Sequence, residues 1–286
     1  MIRRKRRRLE ERIFKILMTA SAFVVLGGLL LILGTIVVKS FPALSLSMLF
    51  QTPKGGYYLG REGGILNAIL GSLYLASGAT LLAVLFGLPI VLYLNQYARK
   101  RTVLSVFTRF SLDVLWGIPS IVYGAFGFIV MAALGLRASL LAGILAVALL
   151  ELPIMTRAMD EVVRLVPQAM FDASDSLGAT KLETALKVVV RQALPGILTA
   201  VLIAFGRGIG DAASVLFTAG FTDSVPSSLL RPAATLPLAI FFQLGTPYPE
   251  VQERAYASAA VLTLLVLAIS LVSRTLIRRI SKHSVK

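Results

Sequence analysis

Long apolar runs alternate with shorter polar segments along the whole chain. Six of these runs are long enough to cross a hydrocarbon layer of about 30 Å as helices. They cover residues 16–38, 66–95, 111–134, 138–157, 196–219 and 256–277. The pattern predicts an all-α polytopic membrane protein with six transmembrane helices.

The charges agree with this prediction once their positions are considered. The 286 residues carry a formal net charge of +15, which taken alone is typical of nucleic-acid binding. The basic residues, however, cluster at the N-terminus, around residues 99–109 and in the C-terminal tail, beside apolar runs. The positive-inside rule explains these positions and favours contact with anionic membrane lipids, so we expect no nucleic-acid partner. The same rule predicts a multi-pass protein of the cytoplasmic (inner) membrane with both termini in the cytoplasm.

Residues for catalysis or metal binding are scarce. The chain has no cysteine, and its one histidine, His283, lies in the basic tail, so we expect neither a catalytic nor a metal site. The nearest match to a nucleotide-binding Gly-x-x-x-x-Gly-Lys-Ser/Thr loop runs from Gly55 to Glu62 and lacks the hydroxyl that binds Mg²⁺. We therefore expect no cofactor in this chain.

One polar stretch, FDASDSLGATKLETALKVVVRQALPG, interrupts the apolar pattern between spans four and five, on the side predicted to be cytoplasmic. Pro167 can begin a short helix, and Gly178 can end it in a left-handed conformation. Thr180 and Glu183 have the spacing of a capping box, which begins a second helix. The apolar face of that helix contains Leu182, Ala185, Leu186 and Val189. Residues 167–189, here called the elbow, are either an amphipathic connector or a docking surface.

The same stretch resembles the EAA loop of ABC importer permeases, which covers residues 158–195 here. That motif is Glu-Ala-Ala, then a glycine, then a later Leu-Pro; in the family it forms a coupling helix that docks onto the ATP-hydrolysing subunit. The residues in matching positions are Asp172, Ala173, Ser174, Gly178, Leu194 and Pro195. Asp172 and Ser174 replace the usual Glu and second Ala, and Arg191 stands where related permeases often have proline.

Three further stretches resemble phosphate permeases of the PstA type: GGILNAILGSLYL, GIPSIVYGAFG and FGRGIGDAASVLFTAG. The resemblance implies a type I ABC importer permease fold, with a five-helix core over residues 63–286 that contains the EAA loop and ends in the basic tail. Residues 1–62 then contain the basic N-terminus, the first span and an outer loop. The resemblance also implies three kinds of protein partner, in addition to the membrane lipids expected from the charges: a second related permease, two ATPase subunits that bind ATP and Mg²⁺, and an extracytoplasmic phosphate-binding protein.

Two charged residues, Arg207 and Asp211, lie within the fifth apolar run, where each costs about 2.5 to 3.5 kcal/mol near the bilayer centre. They can neutralise each other as a pair four residues apart. Alternatively, Arg207 faces the translocation path and binds a phosphate oxygen, while Asp211 positions it or engages a protonated oxygen. Phosphate permeases carry a similar Arg-Ala-Leu-Gly-Glu sequence here, which favours the second alternative. Gly206 and Gly210 form a GxxxG pair that permits close helix packing.

Prolines mark two more segments of interest. Pro119 can kink the third span and release backbone groups, so that Ser120 and Tyr123 line the translocation path through their hydroxyls; simple packing is the alternative. Pro237 opens a run too short to cross the membrane, for which a helix lying on the outer surface is slightly favoured over a docking surface.

Together these features predict a permease subunit of an ATP-driven importer that moves inorganic phosphate by alternating access. Another oxyanion, such as sulfate or molybdate, remains open as the substrate. A stand-alone secondary transporter, with Arg207 and Asp211 as an ion-coupling pair, is a second hypothesis, although no inverted repeat supports it. A membrane scaffold, the third hypothesis, leaves the two intramembrane charges unexplained.

Overall fold

Long helices dominate the structure, a computed structural model that describes residues 2–54, 62–98 and 102–280. Three parts of the chain discussed above lie outside these ranges: the basic residues Arg99, Lys100 and Arg101, the tail from residue 281, and most of the Gly55–Glu62 loop. The helices are α1 (Ile2–Ser40), α2 (Leu46–Phe50), α3 (Leu66–Gln96), α4 (Val103–Trp116), α5 (Ser120–Ala133), α6 (Leu140–Arg164), α7 (Gln168–Ser176), α8 (Lys181–Glu183), α9 (Val190–Ile209), α10 (Leu236–Leu244) and α11 (Pro249–Ile280). A π-helical segment, Thr184–Val189, joins α8 to α9, and two short antiparallel strands, β1 (Pro53–Lys54) and β2 (Glu62–Gly63), precede α3.

Within the described ranges, five helices are long and apolar enough to cross a membrane: Glu10–Ser40, Leu66–Gln96, Leu140–Arg164, Lys181–Ile209 and Pro249–Thr275. The pair α4 and α5 meets the same criterion as a sixth span, but its two halves meet at 100°. The span predicted over 111–134 is therefore broken, and the kink expected at Pro119 is confirmed. The cause is local, because Pro119 has no N–H to donate and keeps the residue before it out of the helical region.

The fifth span also differs from the prediction of 196–219. It begins at Lys181, runs through the π-helical segment and ends at Ile209, with Gly210 as its C-cap. Glycine weakens a helix, and three glycines alternate along residues 206–210. The following 210–235 segment contains no helix, although every one of its residues is described.

Backbone hydrogen bonds attach the 210–235 segment to the neighbouring helices. Ser139 N donates to Thr218 O at 2.9 Å, and Leu140 N donates to Arg231 O at 2.8 Å. From α3, Asn67 Nδ2 donates to Thr222 O at 2.7 Å. Irregular backbone is stable within a membrane protein only where such partners replace water.

Helix α10 lies in the core, so the favoured prediction of a helix on the outer surface is wrong. Leu236, Leu238 and Ala239 are fully buried, and they pack against α3 and α11. The Thr235 hydroxyl caps the helix by accepting from Leu238 N. A short helix that is apolar nearly all round is stabilised by burial rather than by an interface.

Small residues bring the central helices close together. The largest core cluster joins α3, α6, α9 and the elbow, and the α9 positions in it are Ala193, Ile197, Ala200 and Ala204. Alanines at a helix interface permit close approach of the backbones. The elbow and the end of α9 thus belong to one packed body.

Candidate functional site

Arg207 occupies the last turn of α9 with an exposed side chain. Within the described ranges it forms no hydrogen bond and no ion pair. A cation is favoured at a helix C-terminus, where the backbone carbonyls concentrate negative charge. All of its guanidinium donors are therefore available to a ligand, and their fork geometry suits an oxyanion.

Asp211 lies beyond the end of α9 and does not pair with Arg207. Its carboxylate accepts hydrogen bonds from Ser214 N, at 2.8 Å, and from the Ser214 hydroxyl. The structure therefore contradicts the mutual ion pair considered from the sequence, because the helix that would have aligned the two residues ends at Ile209. Asp211 instead holds the first turn of the 210–235 segment.

The two hydroxyls predicted to line the translocation path, those of Ser120 and Tyr123, have different environments beside the bend between α4 and α5. Ser120 begins α5 and is half-buried. Tyr123 is buried, and its hydroxyl donates to Leu115 O at 2.8 Å, across the bend. The Tyr123 hydroxyl thus stabilises the break in the helix, which corresponds to the packing alternative.

Glycines mark where α5 and α6 approach this region. A Cβ added to Gly124 of α5 would lie 2.8 Å from the carbonyl oxygens of Ala213 and Ser214. A Cβ added to Gly208 of α9 would collide with Glu151 Oε1. The Gly206–Gly210 pair packs against no other helix of this chain in the described ranges, because no described atom lies within 4 Å of a Cβ placed at Gly206.

Glu151 is a buried carboxyl group of α6 next to this region. It is 0% exposed in the middle of α6, and Thr80 Oγ1 donates to its Oε2 at 2.9 Å. Its Oε1 has no hydrogen-bond partner among the described residues and rests against Gly208. An acidic residue flanked by apolar residues on both sides is the sequence signal of a buried carboxyl group. Hydropathy alone, however, does not show which neighbouring helix this carboxyl group contacts.

The elbow has the local structure that its sequence predicts. Helix α7 begins directly after Pro167, and Gly178 follows with φ +73°. Thr180 Oγ1 accepts from Glu183 N at 3.3 Å, and Glu183 Oε2 accepts from Thr180 N at 3.0 Å. The capping box is confirmed, although the second helix continues into the fifth span instead of ending as a short separate helix.

The apolar residues of that second helix differ in burial. Ala185 and Val189 are buried, whereas Leu182 and Leu186 are 56% and 52% exposed. The predicted common apolar face is therefore wrong in part, because two of its four residues remain exposed. The exposed leucines add apolar surface to the elbow.

The six residues that match the EAA motif have different environments. Asp172, Ala173 and Gly178 are exposed on the elbow, beside Leu177. Ser174 is buried and shares a 2.8 Å hydrogen bond with Thr184, which ties α7 to the second helix. The two remaining motif residues, Leu194 and Pro195, are half-buried within α9.

Replacing Thr180 by alanine is expected to loosen the elbow. The substitution removes the acceptor for Glu183 N and should cost about 0.5–2 kcal/mol. Amide hydrogen exchange over residues 181–189 of the purified protein should accelerate accordingly. Thr199→Ala is the matched control, because that exposed hydroxyl donates only to Pro195 O of its own helix. Equal exchange in the two variants would contradict the capping role.

Comparison with known proteins adds an independent result. Residues 96–285 match the family model described as the binding-protein-dependent transport system inner membrane component. The phosphate transport system permease protein PstA of Pasteurella multocida (strain Pm70) is 34% identical over 271 residues, which cover 94% of this chain and 95% of that protein. The protein of the same name from Yersinia pestis is 34% identical over 277 residues, with 97% and 92% covered.

Among solved structures, the inward-facing MetNI methionine ABC transporter is similar, with a TM-score of 0.61 at 18% identity. The match covers 76% of this chain and 95% of that chain, and at this identity it concerns the fold alone. Fold and sequence agree, and the described elbow and broken span lie within the matched family region. The chain belongs to the binding-protein-dependent transport system inner membrane components, and among them to the PstA-type permeases with the type I ABC importer fold.

Proposed function

We propose that this chain is a permease subunit of an ATP-driven importer that moves inorganic phosphate across the cytoplasmic (inner) membrane by alternating access. Relatives that are 34% identical over almost their whole length are named phosphate transport permeases. The observation that carries the proposal is Arg207, an exposed cation without a partner among the described residues, at the end of a membrane-spanning helix. Such a group is stabilised when it binds an anion.

One copy of this chain does not enclose Arg207, which favours a translocation path shared with a second, related permease. The side chain lies at the surface of the protein rather than inside a cavity of this chain. A second permease would supply the facing wall and further donors for the phosphate oxygens. An extracytoplasmic phosphate-binding protein would then deliver the ion to this shared path.

The driving force comes from two ATPase subunits that bind ATP and Mg²⁺, since this chain has no pattern for either ligand. The exposed elbow is where they would dock, through Asp172, Ala173 and the neighbouring Leu177, which is 88% exposed. Both termini are then cytoplasmic, and the exposed apolar surface of α1 faces membrane lipids.

The fifth span offers a direct connection between the elbow and Arg207. Helical structure is continuous from Lys181 to Ile209, and 29 residues at 1.5 Å each span about 43 Å. A movement of the elbow therefore tilts the helix end that carries Arg207. The π-helical segment is the natural point at which such a helix bends.

The test is uptake of radiolabelled phosphate by proteoliposomes that contain the complete complex. We expect uptake to require ATP on the side of the vesicle membrane that corresponds to the cytoplasm. Excess unlabelled phosphate should abolish the uptake of the label. In the presence of excess sulfate or molybdate, the uptake rate should stay within about twofold of the rate without competitor, which corresponds to a free-energy difference below about 0.5 kcal/mol. If sulfate or molybdate inhibited uptake as strongly as unlabelled phosphate does, the substrate would be another oxyanion. Gradient-driven uptake by the chain alone would establish the secondary transporter instead.

A further inference from the structure

A buried ionic cluster lies at the cytoplasmic end of α6, distant in sequence from Arg207. At its centre, Asp160 has a side chain that is 0% exposed. Arg109 of α4 binds it through two bonds, Nε to Oδ2 at 3.0 Å and Nη2 to Oδ1 at 3.2 Å. Arg164 Nη2 approaches Oδ2 at 2.9 Å, and Asn95 Nδ2 of α3 donates to Oδ1 at 2.7 Å.

A third arginine completes the charge balance. Arg157 Nη1 lies 3.5 Å from Asp160 Oδ2, its Nε lies 2.8 Å from Asp113 Oδ1, and its Nη2 lies 3.4 Å from Glu161 Oε1. The cluster therefore contains three cations and three anions: Arg109, Arg157, Arg164, Asp113, Asp160 and Glu161. With its charges balanced, it offers no excess charge for binding a free anion or cation.

The position of the cluster suggests a mechanical role. It joins α4 to the C-terminal ends of α3 and α6, and α7 of the elbow begins at Gln168, four residues after Arg164. A cavity of about 860 Å³ is lined by residues of both the cluster and the elbow, including Arg164 and Phe171. The cluster thus occupies the junction between the elbow and the broken span.

Helix α4 depends strongly on this cluster for its attachment. Only Ser105 and Leu112 of its 14 residues are buried, so apolar packing holds it weakly. The two bonds from Arg109 to the buried Asp160 carboxylate, with the Asp113–Arg157 pair, are its main polar links to α6. Removal of one partner from a buried ion pair leaves uncompensated charge and is therefore costly.

We propose that Asp160 is a positioning residue for coupling: it locks α4 to the elbow end of α6, so that movement of the elbow also moves the broken span. Helix α5 continues from α4 across the bend and packs through Gly124 on the Ala213–Ser214 turn, close in sequence to Arg207. Elbow motion therefore reaches the region of the phosphate site by two routes, the fifth span and the ionic cluster. This inference rests on the proposed function.

The first test compares phosphate uptake with ATP hydrolysis in the reconstituted complex carrying Asp160→Asn. We expect phosphate moved per ATP hydrolysed to fall about tenfold, in the range of ordinary coupling energies, while hydrolysis stays within about twofold of the wild type. The double variant Arg109→Gln/Asp160→Asn should stay as low as Asp160→Asn, because removing the cation relieves the uncompensated charge but does not restore the link between α4 and α6. Recovery of the ratio in the double variant would show that uncompensated charge, and not the lost link, caused the fall. Glu161→Gln is the control, since this 60% exposed carboxylate contacts Arg157 alone at 3.4 Å, and its ratio should be unchanged. A wild-type ratio in Asp160→Asn, or a parallel fall of both rates in assembled complex, would overturn the proposal.

A second measurement depends on nucleotide and not on phosphate transport. The chain has no cysteine, so spin labels can be attached to cysteines introduced at the exposed positions Val103 of α4 and Ser176 of the elbow, in a complex otherwise free of reactive cysteine. In the wild-type background the distance between them should be the same with and without ATP, and Asp160→Asn should make it change. A nucleotide-dependent distance in the wild-type background would show that α4 and the elbow are not locked. If this distance result holds while wild-type vesicles fail to import phosphate, the proposed substrate is wrong and the lock stands.

Discussion

Replacing Arg207 by glutamine is expected to reduce phosphate uptake by the assembled complex about a hundredfold. The guanidinium is exposed at the end of α9 and has no partner within the described residues, so its donors are free for the substrate. Hydrogen bonds to a charged group contribute about 1.5–3 kcal/mol, and the loss of a bidentate contact worth about 3 kcal/mol corresponds to this factor. ATP-dependent uptake in proteoliposomes measures the effect. Arg207→Lys should give an intermediate rate, because it retains the charge but loses the planar fork.

The matched control for this prediction is Arg137→Gln. Arg137 is also exposed, but it lies in the short connection between α5 and α6 and should contribute nothing to substrate binding. Both variants should assemble with the other subunits to the wild-type level, because neither arginine contacts another described residue through a polar bond. Wild-type uptake in assembled Arg207→Gln complex would remove Arg207 from the mechanism.

Replacing Gly71 by alanine is expected to prevent normal folding. A Cβ at this position of α3 would collide with the carbonyl oxygen of Ala234 and lie 3.1 Å from its carbonyl carbon. Backbone cannot rotate away as a side chain can, so the 210–235 segment would have to move. The 2.8 Å bond from Leu236 N to Ser72 Oγ and the Asn67–Thr222 bond would then be strained or lost. Overpacking of this kind costs about 1–3 kcal/mol, and broken buried hydrogen bonds add to it.

The yield and thermal unfolding midpoint of the purified protein measure this effect. Gly206→Ala is the control, because no atom of the described residues lies within 4 Å of its added Cβ and alanine is the better helix former by about 1 kcal/mol. We expect Gly206→Ala to unfold at the wild-type temperature or above it. A wild-type midpoint for Gly71→Ala would show that the 210–235 segment does not pack against α3 as described.

Features that depend on neighbouring residues in sequence were predictable. The start of α7 after Pro167, the left-handed Gly178 and the capping box of Thr180 and Glu183 are all confirmed. Each follows from the geometry of one or two peptide units, which the residue type itself restricts. The number of spans was predictable for a similar reason, because a helix must bury its backbone polar groups and needs about 20 apolar residues to cross.

The candidate site was predictable only in part. Arg207 was identified because a charge in an apolar run is costly wherever it lies. The partner of Asp211 was not predicted, because residues 210–219 are as apolar as a membrane-spanning helix and their composition gives no sign that α9 ends at Ile209. Glu151 and Asp160 each belong to one apolar or amphipathic helix in the sequence, and their partners Thr80 and Arg109 lie 71 and 51 residues away.

The sequence by itself determined the membrane class, the span count, the elbow and its caps, and the family resemblance through ordered motifs. Tertiary structure alone decided where the fifth span ends, how far α10 is buried and which acid each arginine meets. The physical reason is that an irregular segment such as 210–235 is stable only when other helices supply its hydrogen bonds, and those helices are far away in sequence. The local sequence determines turns and helix caps, whereas the point at which a helix ends depends on the residues that pack against it.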